Sequence, residues 1–126
     1  MEARPDVIVD FIFEGGLLFI AVSNIGSQPA LKVQIAFEPP FRGLGGSQLI
    51  PELPLFCKIE FLAPSRSIQT LLDSSAAYFA RDEPLRITAE IAFSDRAGQK
   101  FSSTIVHDLS IYRDIAFVPK VERSTP

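Results

Sequence analysis

Tryptophan is absent from this sequence, cysteine and histidine occur once each, and tyrosine occurs twice. Each scarcity removes a class of protein. The lone Cys57 cannot close an intrachain disulfide or build a cysteine-based zinc cluster. With His107 as the single histidine, a catalytic metal would rest on carboxylates, and these occur singly rather than at calcium-loop spacing. Basic charge is also sparse: 12 Lys and Arg are scattered among 15 acids, for a formal net charge of −3. That leaves no electrostatic footprint for DNA or RNA, so no nucleic acid is expected as a partner. No run approaches the ~18 apolar residues of a membrane span, and the N-terminal MEARPDVIVDF lacks the apolar stretch of a signal peptide. The chain is therefore read as soluble as given, with no direct membrane insertion. Met1 does not reveal whether an anchor once preceded it, which keeps open an extracytoplasmic domain of a membrane-anchored protein.

What is present is a chain of 126 residues, 47% hydrophobic and 21% charged, the balance of a folded globular protein. That length suits a single domain, which at this size buries roughly two thirds of its unfolded surface. The core is expected over about residues 6–114, with a frayed C-terminal tail at 119–126, PKVERSTP. The 11 phenylalanines are rings that pack without a polar partner, pointing to core more than to a binding face.

The prevailing pattern is alternation with a period of two. In VIVDFIFE (7–14), Val7, Val9, Phe11 and Phe13 share one face of a strand. Gly15 and Gly16 divide it from LLFIAVSNI (17–25), a hairpin signal because both glycines accept positive φ. In NIGSQPALKVQIAF (24–37), Asn24 bonds its local backbone, Gly26 supplies permissive φ and Pro29 withholds a donor, so a strand ends and the chain turns. Val33, Ile35 and Phe37 then alternate with Lys32, Gln34 and Ala36 as a half-buried strand, which Pro39 and Pro40 stop. Residues 41–55 show neither period and read as a long connection. FCKIEFL (56–62) and SIQTLL (67–72), with a turn at A-P-S-R, read as a second hairpin. DSSAAYFAR (73–81) is the one helix candidate, capped by Asp73 or Ser74. Residues 85–93 form the cleanest strand, and Phe101, Ser103, Ile105 and His107 continue as its hairpin partner after SDRAGQ. LSIYRDIAFV (109–118) is a candidate edge strand. No internal repeat occurs. About seven short strands with at most one short helix predict an all-β, antiparallel sandwich, since a parallel α/β domain needs a crossover helix for each strand pair.

The turn and strand at Asn24, Gly26, Pro29, Ala30, Val33 and Ile35 resemble the N-x-G-x-x-P-A-x-x-V-x-V pattern of bacterial immunoglobulin-like β-sandwich modules of the CARDB type, which are related to cell adhesion. The stretch IAFSDRAGQKFSSTIVHDLSIY is similar to small bacterial proteins of unknown function in which such a sandwich often follows membrane helices. The resemblance covers about half of the chain. It implies an immunoglobulin-like antiparallel sandwich with a non-catalytic role in adhesion, display or assembly. No functional residue carries over, because the matching residues build a turn.

Site chemistry is thin. His107 and Asp108 are adjacent, but neighbours on a strand point to opposite faces and cannot orient one another. Asp82, Glu83 and Asp95 read as solvated surface. Gly43, Gly45 and Gly46 lack the following helix and lysine of a phosphate cradle. Cys57 has Lys58 beside it, which a reactive thiol would use, but a lone cysteine in an apolar stretch reads as buried and inert. No catalytic residue, cofactor or metal is expected. The segment 41–56 stands apart, because a long connection carrying Phe41, Leu44, Leu49 and Ile50 needs a reason. Either these residues fold back over an open end of the sandwich, or they form a protein-interaction loop; on the second reading, Asp at Phe41 or Leu44 leaves folding intact and weakens association. The leading expectation is a non-catalytic structural or protein-interaction module, with an unknown protein partner or self-association through a strand edge. The alternative is a small-ligand-binding protein or enzyme with a pocket under the 41–56 loop.

Overall fold

A computed structural model describes residues 3–113 and 115. Among the described residues nine strands alternate with short helical turns: β1 (Val7–Glu14), β2 (Leu17–Asn24), β3 (Ala30–Glu38), β4 (Arg42–Gly43), β5 (Gln48–Leu49), α1 (Pro54–Cys57), β6 (Ile59–Leu62), β7 (Ser67–Ser74), α2 (Ser75–Ala80), β8 (Arg86–Ser94) and β9 (Lys100–Asp108). Every pairing is antiparallel. One sheet has the order β1-β2-β7 and the facing one β6-β3-β8-β9, while β4 and β5 pair only with each other. This is an all-β antiparallel sandwich.

Alternation does what it promised. Val7, Val9 and Phe11 of β1, Val33, Ile35 and Phe37 of β3, and Ile87, Ala89, Ile91 and Phe93 of β8 are all buried, and their neighbours of opposite parity are half-buried or exposed. Both sheets feed one cluster of buried apolar side chains, to which residues 41–56 add Phe41, Ile50 and Phe56. Gly15 and Gly16 take φ of 60° and 83°, the conformation a tight hairpin requires.

Asn24 joins the two layers. Its side chain is fully buried; Oδ1 accepts from the amides of Asp6 and Gly26, and Nδ2 donates to the carbonyls of Gln28 and Leu62. Asn24 lies in β2 and Leu62 in β6, so one carboxamide ties one sheet to the other. Gly26 is needed there for space and not for positive φ: a Cβ would come within 2.3 Å of the Arg4 carbonyl oxygen and 2.6 Å of the Asp6 amide.

The structure corrects three local expectations. Residues 56–62 and 67–72 do not pair as a hairpin; β6 joins β3 and β7 joins β2, in opposite sheets. A second short helix, α1, takes up the start of the first of these segments, with Pro54 in its first turn. LSIY (109–112) forms a 3-10 turn in place of an edge strand, capped by Asp108, whose side chain accepts from the Ser110 amide. The expected frayed tail, 119–126, lies outside the described residues.

Candidate functional site

Residues 41–56 carry the strongest sequence signal, and the fold divides them. Phe41 and Ile50 are core, 1% and 0% exposed, so those two are not interaction-surface residues; Leu44 is exposed and Leu49 half-buried. Phe41 sits among Phe11 and Phe37, with ring centroids 6.1 Å and 5.3 Å away, and closes one end of the sandwich. The segment is not a bare connection either, because β4, β5, α1 and two 3-10 turns hold its backbone.

Its anchor is a polar cluster that sequence reading missed. Arg81, just after α2, places Nη1 2.8 Å from Asp73 Oδ2 and Nε 3.2 Å from Glu83 Oε2, and Nη2 donates to the Arg42 carbonyl. Asp73 Oδ2 also accepts from the Gly45 amide, and Glu83 Oε1 from the Arg42 amide. Burial works against the guanidinium charge, but its hydrogen bonds to Asp73 and Glu83 outweigh that and raise the Arg81 pKa. Arg81 also lies over the Tyr78 ring at 5.7 Å, and the buried Tyr78 hydroxyl donates to the Pro84 carbonyl. Through these bonds the ion-pair cluster holds the backbone of residues 42–45 against the end of α2.

Glu90 and Ala92 of β8, with Gln34 and Ala36 of β3 and Ser102 of β9, floor an open hollow of about 450 Å³ on the outer face of the four-stranded sheet, walled by Phe56 and Cys57. A second hollow of about 340 Å³ adjoins it through Gln34 and Ala92, with Lys32, Lys58 and Lys100 around it. Lys32 takes φ of 53° where the β3–β8 register shifts, a bulge that re-aims its side chain. These hollows lie outside the sandwich beside the end of the 41–56 segment, not between the sheets. Cys57 is exposed on the wall of the first, which corrects the buried reading of that thiol.

His107 is half-buried on the opposite, inner face. Its Nε2 donates to the Val9 carbonyl at 2.8 Å and its ring meets Phe11 edge-on at 5.0 Å, so it bridges the sheets as a satisfied side chain. Glu90 faces outward, and the fold does not bring it to His107. No group of three metal-ligating side chains converges among the described residues. No helix among them is long and apolar enough to cross a membrane.

The edges of the sheets differ sharply. On β1, the carbonyls of Val9 and Phe11, two residues apart and so on one side of the strand, accept from His107 Nε2 and the Tyr112 hydroxyl, closing that side to an incoming strand. The end of β7 is covered by residues 42–46, so closely that a Cβ on Gly43 would stand 2.2 Å from the Leu72 carbonyl oxygen. β6 is short and flanked by the Lys58–Glu60 ion pair. β9, nine residues long, is bonded on one side by β8, and has no strand on its other side among the described residues.

An antiparallel all-β sandwich is the class that the fold defines. Within that class the chain belongs to the family described as Domain of unknown function (DUF8453), whose model matches residues 1–113. Searches of curated proteins and of solved structures find no match.

Proposed function

We propose that this domain is a non-catalytic interaction module, immunoglobulin-like in character, that takes an extended strand of a protein partner along the edge of β9. The observation that carries this reading is that β9, nine residues long and bonded on one side only, has among the described residues neither the side-chain donors that occupy the β1 edge nor the loop that covers the end of β7. Strand addition draws affinity from main-chain hydrogen bonds and needs no polar pocket, in keeping with so bare a surface chemistry. Display at the cell envelope, as in CARDB-type modules, belongs to the same reading.

Size-exclusion of the tagged protein from extracts of its source cell tests it. The wild type is expected to elute above its monomer mass of 13.9 kDa. Ser103→Lys, an exposed position midway along β9, is expected to elute as a folded monomer, because a charge on the edge opposes pairing. Co-elution of that variant with the wild type in a larger assembly sinks the proposal, and fractionation of the same extract checks the envelope location.

A second reading, a small-ligand binder, draws on the outer hollows and their three lysines. Retention of a small carboxylate or phosphate by the purified chain, lost in Lys32→Ala, would favour it.

A further inference from the structure

Resting on the reading of β9 as the docking edge, we propose that the strand it takes is β9 of a second copy of this chain, antiparallel, in the register that sets Thr104 against the partner's Thr104. Closed dimers are built from a surface that complements itself across a two-fold axis, each contact occurring twice. The sequence of β9, KFSSTIVHD, meets that condition. Thr104 is its midpoint, and in this register Lys100 stands opposite the partner's Asp108 while Asp108 stands opposite the partner's Lys100. Opposite charges directly across a strand pair stabilise it and like charges destabilise it. Slipping by a pair of residues removes both matches and leaves Lys100 against Val106, so the charges specify the register as well as the partner.

The residues between are suited to a sheet interior. FSSTIV is uncharged, and the central Thr104 pair is β-branched on both sides. Val106 is 47% exposed in the monomer and would lie across from the partner's Ser102. On the inner face Phe101 and Ile105 pack against the core but are only half-buried. Among the described residues Lys100 forms no ion pair within the monomer. Asp108 caps the following turn, and its hydrogen bonds to Ser110 lower its pKa, which keeps it an anion. The competing edge β1 is stopped by the His107 and Tyr112 donors, and the end of β7 lies under residues 42–46.

Light scattering of the purified full chain over concentrations up to ~1 mM, the range of weak association, is the first measurement. Wild type is expected to pass from monomer to dimer. Lys100→Glu and Asp108→Lys each place two like-charge pairs in the dyad register, and each is expected to weaken self-association at least about tenfold. Mixing the two variants pairs every acid with a lysine and restores dimers. Thr104→Cys in a Cys57→Ser background gives a reading that does not depend on the charge variants: it is expected to cross-link to itself under mild oxidation, whereas Ser102→Cys in that background is not. A wild type that stays monomeric overturns the self-pairing but leaves the edge reading to the elution experiment in extracts. A dimer that ignores both charge variants and cross-links equally at positions 102 and 104 overturns the register, and a dimer indifferent to Ser103→Lys overturns the β9 edge itself.

Discussion

Asn24 shows how much one side chain can hold. Four hydrogen bonds converge on its buried carboxamide, and Ala in its place leaves two amides and two carbonyls to find water or go without. Asn24→Ala is expected to lower stability by ~3 kcal/mol in urea unfolding, since each deserted buried group costs on the order of 1 kcal/mol or more. Tyr78 offers a test through pH. Burial first, then the charges of Glu83 and Asp73, raise its pKa well above the ordinary tyrosine value, against the opposing pull of Arg81. The folded state therefore keeps the proton that the unfolded state gives up near pH ~10, and the associated stability is full below that pH and declines as pH rises through the folded value. Tyr78→Phe is expected to flatten the alkaline slope of a stability–pH curve. Tyr112, raised by burial and by Asp10, contributes a slope of the same sign.

Strand identity was legible because alternation is local: the apolar parity of VIVDFIFE or of RITAEIAFS can be read without knowing what lies above it. Strand partnership was not. FCKIEFL and SIQTLL are neighbours in sequence, and only the demands of two facing sheets send one to β3 and the other to β2. α1 escaped notice because its four residues carry no helical period, and the 3-10 turn at LSIY because its capping Asp108 looked like the end of a strand. The helix α2 was visible through Ser74, whose hydroxyl accepts from the Ala77 amide. What no local pattern disclosed is the function of its last neighbour. Arg81 is the strut between α2 and residues 42–46, and Arg81→Met leaves the buried Asp73 carboxylate with its guanidinium removed. We expect a loss of roughly 2 kcal/mol and faster hydrogen exchange at the Gly45 amide, with exchange in β8 little changed.

At the scale of the molecule, the core is shared by both sheets and by the segment that crosses its end. Phe41 and Leu44, alike as apolar residues of an irregular stretch, have opposite fates: one is buried against the rings of Phe11 and Phe37, the other stands in solvent. Phe41→Asp is expected to cost about 4 kcal/mol or more, a large part of a small domain's stability, and to yield little folded protein. Leu44→Asp is expected to unfold within ~0.5 kcal/mol of wild type, as surface substitutions do. Circular dichroism melts of the pair decide whether that division of the loop holds.

The carboxamide of Asn24 also bears on time. Its bond to Leu62 closes a separation of 38 residues and cannot form until the chain has crossed from one sheet to the other and brought β6 back alongside β3. Such a latch sets late, after most of the apolar surface has been gathered in. Truncating it should leave the refolding rate nearly untouched and quicken the opening of the folded molecule, so the lifetime of the sandwich, more than its speed of assembly, rests on one asparagine.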